Sequence, residues 1–200
     1  MKLQKLISLG ALAFCLLAFN AHAGGHGPSW DLVGAQSKVA FGSVKLDAVG
    51  ETHRFNTLSG TVNDYGVATI EIDLASVDTG IEIRDTRMKR HVFEGKGPAA
   101  ALTATIDPKA MNDLAVGATD VINVSGKLTL GENTLDISTG MFIAKLSDDR
   151  VLVTTDEMIM VGADALGITA GVDKLMELAR LPSIGRVVPV TLRFVFDKSK

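Results

Sequence analysis

A single cysteine, Cys15, stands in 200 residues, and it lies inside the first apolar run. A disulfide framework, a thiolate metal site and a thiol nucleophile are therefore excluded from the rest of the chain. Tryptophan and tyrosine occur once each, and two of the eight phenylalanines (Phe14 and Phe19) fall in that same run. So sparse a set does not furnish the stacking platform that bases require, nor the aromatic groove expected for a sugar. Positive charge is short as well: 20 Lys and Arg stand against 23 Asp and Glu, a formal net charge of −3. A nucleic acid or an anionic surface recognised by charge is not expected. Walker loops, dinucleotide-type glycine motifs and G-x-S-x-G elbows are missing, and no carboxylates are paired for acid–base work. What remains is a chain held by an apolar core, with no visible catalytic apparatus.

The long apolar run, residues 6–19, follows Lys2 and Lys5 and precedes Ala21-His22-Ala23. A basic start, a short apolar segment and an A-x-A site are the parts of a secretory signal peptide. The run falls short of the roughly 20 apolar residues that span a bilayer. Phe14 precedes Cys15 where lipid attachment demands a small residue, so lipidation is not expected. Cleavage after Ala23 would leave residues 24–200 as one domain, with a net charge of −5 once Lys2 and Lys5 are gone. The expected location is the periplasm.

What is abundant is two-residue alternation. In residues 68–74, Ala68, Ile70, Ile72 and Leu74 share one face, while Thr69, Glu71 and Asp73 share the other. That period puts one face in a dry interior and the other in water. The same pattern predicts strands over 30–33, 37–46, 53–62, 99–106, 120–130, 134–146, 151–161 and 190–197. Turn residues such as Asn63-Asp64-Tyr65-Gly66 and Gly131-Glu132-Asn133 separate them. Helical spacing occurs in a charged segment near 84–93 (Met88 with Val92) and near 170–181, stopped by Pro182. Pro189 removes a ladder hydrogen bond and is placed at a strand start or a bulge. Met158 and Met160 are read as core filling, and Arg84-Asp85 as a solvated Arg beside a helix-start acid. The fold expected is all-β: an antiparallel up-and-down barrel of about eight strands with these two short helices. Inward small residues (Ala68, Ala100, Ala104 and Gly126) either make room for a ligand or balance bulky neighbours across the interior.

Several segments in order resemble the YceI-like family of lipocalin-like, polyisoprenoid-binding periplasmic proteins. They are Ser37-Lys-Val-Ala-Phe41, Phe55 with Leu58-Ser-Gly60, Ser76-Val-Asp-Thr79 with Arg84-Asp85 and Met88, then Phe93 and Pro98. Gly126-Lys-Leu-Thr-Leu130 and Gly167-Ile168 complete the set, which covers nearly all of the chain after residue 23. The chain departs from the family between Leu46 and Phe55, with Asp-Ala-Val-Gly-Glu-Thr-His in place of His-Leu-Gly. The loop before Pro98 is reduced to Gly-Lys-Gly.

The resemblance implies a carrier or store and not a catalyst, with an isoprenoid tail such as a quinone's held in an apolar cavity and no cofactor. The residues expected to line that cavity are Phe41, Phe55, Ala68, Ile70, Ile72, Leu102, Ala104, Val124, Leu128, Ile137, Met141, Leu192 and Phe194. Ile72 and Phe194 are expected near mid-strand, and a Trp at position 68 or 104 is expected to block the tunnel. Partners left open are a transient contact with a membrane or membrane protein, and a homodimer through an exposed strand. The alternative is a metal- or haem-associated redox or stress protein using His53 or His91. No paired-ligand spacing supports it, and His26, His53 and His91 are expected to play no part in binding.

Overall fold

The computed structural model describes residues 27–200; the expected leader, Cys15 and His26 lie outside them. Among the described residues, twelve strands in one antiparallel sheet group into eight staves. The first stave is β1 (Trp30–Leu32), a 3-10 turn (Gly34–Gln36) and β2 (Lys38–Lys45). The second is β3 (Val49–Phe55) and β4 (Leu58–Val62), and the third β5 (Val67–Asp73) and β6 (Val77–Asp78). Helix α1 (Glu82–His91) then leads to β7 (Ala99–Thr105), the short helix α2 (Lys109–Asn112), β8 (Thr119–Leu130) and β9 (Asn133–Ser147). The seventh stave is β10 (Arg150–Thr155) and β11 (Ile159–Gly162); α3 (Thr169–Ala179) precedes the last, β12 (Val187–Lys198).

Each stave pairs with the next in sequence, as an up-and-down meander requires. Closure comes from β12, which pairs along the whole first stave: Val190 with Phe41, Leu192 with Val39, Leu32 with Phe196 and Trp30 with Lys198. A closed ring removes the unpaired edges that an open sheet would present. The alternation also fixes the faces, because a one-residue slip would carry every apolar set into water. Ile70, Ile72, Ile143, Val151, Leu192 and Phe194 are accordingly buried in one common core.

The two ends differ. At one, Trp30 and Met111 are each 2 % exposed, and Trp30 Nε1 donates to Asn112 Oδ1 at 3.2 Å. Lys145 continues the inward set of β9 and is buried there. Its Nζ lies 4.6 Å from the Trp30 ring centroid and donates to the Met111 carbonyl at 3.0 Å. This cation–aromatic plug closes the barrel. At the other end α1 and α3 lie side by side, and Val77, Met88 and Val92 pack with Phe41, Phe55 and Leu175. Acidic Glu82 and Asp85 in the first turn of α1, with Lys89, Arg90 and His91 in its last, complement the helix dipole. No helix among the described residues is long and apolar enough to cross a membrane.

Four local expectations need correction. The second stave starts at Val49 and not at His53, because the Lys45–Val49 pair closes a hairpin with β2. Met158 and Met160 are 66 % and 63 % exposed: the register that turns Val151 and Val153 inward turns the even positions out. Pro189 is the third residue of β12, opposite Met160, with its ring against Gly42. Gly126 does more than make room. A Cβ there would lie 2.4 Å from the Thr103 carbonyl oxygen, so it permits close approach of β7 and β8.

Candidate functional site

Inside the barrel, on the side of α1 and α3, is a cavity of about 440 Å³. That size falls in the range of small-molecule pockets, roughly 300–1,000 Å³. A second cavity of about 110 Å³ lies toward the plugged end, where Met111 lines it. Leu102, Ile137, Ile159 and Leu192 line both and form the waist between them.

All thirteen residues expected inside line one cavity or the other. Phe41, Phe55, Ile72 and Leu128 face the large one; Leu102, Ile137 and Leu192 face both. Ala68, Ile70, Ala104, Val124, Met141 and Phe194 face the small one. Ile72 stands one residue from the end of β5 and not at mid-strand. Ala100, by contrast, faces the large cavity. The expected Trp block at 68 or 104 would therefore fill the small cavity and leave the large one open.

The large cavity is apolar except at one corner. Its polar lining is Ser43 and Lys45 from β2, Glu51 and His53 from β3, and Arg84 and Arg87 from α1. The hairpin explains the grouping. Every second residue faces in, so β2 reads Val39, Phe41, Ser43, Lys45 toward its tip, and β3 reads Phe55, His53, Glu51. Each strand thus runs from apolar at depth to polar at the rim. Aromatic rings bridge the gradient: Phe41 lies 5.2 Å from His53 and 5.3 Å from Phe55, and Phe55 lies 5.9 Å from Phe93.

Arg84 anchors the corner. Its Nη1 donates to Glu51 Oε2 at 2.7 Å and its Nη2 to the Thr79 carbonyl at 2.7 Å. Lys45 reaches the other Glu51 oxygen at 3.1 Å. The Arg84 hydrogen bond, opposed by burial and aided by Lys45, holds the Glu51 carboxyl below the usual carboxylate range. Asp85 accepts from the Thr79 amide and hydroxyl and fixes the loop that leads into α1. Arg84 is therefore not a solvated residue: its side chain is 23 % exposed.

His53 is 5 % exposed, and Ser43 Oγ lies 2.9 Å from its Nε2. Burial, reinforced by the Arg84 charge and opposed by Glu51 and Asp85, lowers its pKa from the ordinary imidazole value. His53 Nδ1 and Arg84 Nε are buried and find no partner among the described residues. His53, expected to play no part in binding, is thus one of the residues that line the cavity. The signal was present in the alternation, since Ser43 and Lys45 continue the inward set of Val39 and Phe41. The cross-strand neighbours and α1 were not legible, and the atypical 47–53 segment supplies two of the six polar groups. Among the described residues no three His, Cys, Asp or Glu side chains converge as a metal site, so the metal or haem alternative gains no support.

Comparison with known proteins places this geometry. The YceI-like domain description matches residues 30–196. A polyisoprenoid-binding domain from Saccharophagus degradans, implicated in plant cell wall breakdown, is 34 % identical with a TM-score of 0.83. That alignment covers 86 % of this chain and 99 % of the other. Burkholderia cenocepacia BcnA is 18 % identical with a TM-score of 0.60, over 82 % of this chain and 99 % of that protein. Campylobacter jejuni YCEI protein is 14 % identical with a TM-score of 0.53, over 74 % and 85 %. The last two bear on the fold alone. A search of the curated proteins found no match. The profile match over most of the chain and the relative sharing a third of its residues agree with the eight-stave barrel: the chain belongs to the YceI-like family.

Proposed function

We propose that this protein is a non-enzymatic periplasmic carrier for a lipid with an isoprenoid-type tail, held in the barrel. The observation that carries the reading is the cavity of about 440 Å³, lined by Ile, Leu, Val and Phe with its polar groups gathered at one corner. Such a lining suits a long apolar chain with one polar end. Withdrawing that chain from water is worth about 0.8 kcal/mol per methylene. The same lining discriminates weakly between tail lengths, since dispersion contacts are non-directional. The Saccharophagus degradans relative is described as polyisoprenoid-binding, which supports the choice of tail. Ile81 and Ile83 line the cavity and are 46 % and 56 % exposed, which suits the rim as the place where a tail passes to or from a membrane or membrane protein. The basic start, apolar run and A-x-A site of residues 1–23 support export.

Organic extraction of protein purified from its own periplasm, followed by mass spectrometry, tests the reading. The expected result is a prenyl-tailed compound near one per barrel, and its reuptake by the stripped protein. A stripped protein that takes up no prenyl lipid would refute it.

A further inference from the structure

The polar corner gathers two buried groups that lack a partner among the described residues, His53 Nδ1 and Arg84 Nε. Arg84 Nε–H is a donor in any protonation state of the protein, because guanidinium does not deprotonate. Burial lowers the His53 pKa, which favours the neutral ring, and Nε2 shares a hydrogen bond of 2.9 Å with Ser43 Oγ. In the tautomer in which the Ser43 hydroxyl donates to Nε2, the ring proton resides on Nδ1, and that atom is a donor as well. A buried polar atom left unpaired costs about 1–3 kcal/mol, and native proteins seldom leave two in one place without a use. Both residues line the large cavity.

We infer that His53 and Arg84 form a head-end subsite, which takes a ligand whose polar end presents hydrogen-bond-accepting oxygen. Either a neutral quinone-type carbonyl or a carboxylate has that chemistry. Resting on the carrier reading, the inference adds to it the class of headgroup. Glu51 serves as a positioning residue: it holds two of the cations and fixes the Arg84 fork so that Nε–H is free to donate. The tail then runs from this corner past Phe41 and Phe55 toward the waist at Leu102.

The test compares three probes with the same geranylgeranyl tail: a benzoquinone, a carboxylic acid and the plain hydrocarbon. Binding of each is measured on wild type, His53→Phe and Arg84→Lys. The Phe variant keeps a ring beside Phe41, and the Lys variant keeps a cation beside Glu51 without an Nε–H. At least one headed probe should bind each variant about tenfold more weakly than wild type, the worth of one such hydrogen bond. Hydrocarbon affinity should be the same in all three proteins, and the probe that loses more names the head. In wild type, the Arg84 Nε–H resonance should move when that headed probe binds and stay fixed with the hydrocarbon, a readout that needs no variant. Equal losses for all probes, or none, together with an unmoved resonance, would overturn the subsite while leaving the carrier standing. Failure of wild type to bind even the hydrocarbon would overturn the carrier reading, and the subsite with it.

Discussion

Two buried titratable side chains, His53 and Lys145, mark the two ends of the interior, and each makes a measurable prediction. His53 has a folded pKa below the ordinary value, chiefly from burial. In the unfolded chain it titrates near 6.5, so on acidification the unfolded state takes the proton first. Stability is therefore fully present above that pH and falls as pH drops through the folded pKa. Denaturant midpoints taken between about pH 7.5 and about pH 5 should fall further in wild type than in His53→Phe. Parallel profiles would show that His53 does not titrate this way. Lys145 packs over Trp30 and pairs with the Met111 carbonyl, so Lys145→Ala should lose about 1–3 kcal/mol of stability. Urea unfolding measures that loss; a variant as stable as wild type would mean the plug is dispensable. Both residues sit on inward faces that alternation alone could trace. Alternation does not say, however, that a polar side chain on such a face stays inside: that depends on the neighbour it finds. Ser43 supplies one for His53, and the Met111 carbonyl one for Lys145.

At the scale of elements, strands were more legible than helices. Period-two segments such as 68–74 and 120–130 announce themselves because half of each side-chain set must leave water. The breaks within staves were harder to see. Residues 56–57 and 156–158 interrupt ladders where the chain changes partner or, past β10, keeps β12 and loses β9, and only the pairing reveals that. Helical spacing marks Met88, Val92 and residues 170–181, but not how closely α1 and α3 approach, which Gly171 permits. A Cβ at Gly171 would lie 2.3 Å from the His91 carbonyl oxygen. Gly171→Ala should push the two helices apart and cost about 1–3 kcal/mol, as overpacking does. Because α1 carries Arg84 and α3 lines the cavity, the same change should speed the release of a bound prenyl probe. Stopped-flow release and urea unfolding read the two effects; unchanged values in both would show that the helix contact has slack.

The barrel as a whole could be read from order: consecutive antiparallel staves with one apolar face each have to close on a common interior. The thirteen inward residues follow from that closure. The division of the interior does not, because the waist at Leu102, Ile137, Ile159 and Leu192 is formed by staves far apart in sequence. That division decides where a block must be placed. A Trp at Ala68 enters the cavity of about 110 Å³, whereas one at Ala100 enters the cavity of about 440 Å³. In a tightly filled core such an insertion costs about 1–3 kcal/mol; in ligand space it costs less, because the ring occupies room that the tail would take. Native mass spectrometry of wild type, Ala68→Trp and Ala100→Trp, purified alike from the periplasm, tests the carrier most directly. A lipid adduct is expected on wild type, retained in Ala68→Trp, and lost in an Ala100→Trp protein that stays folded. A folded Ala100→Trp protein carrying the adduct at wild-type occupancy would show that the tail does not sit in the large cavity.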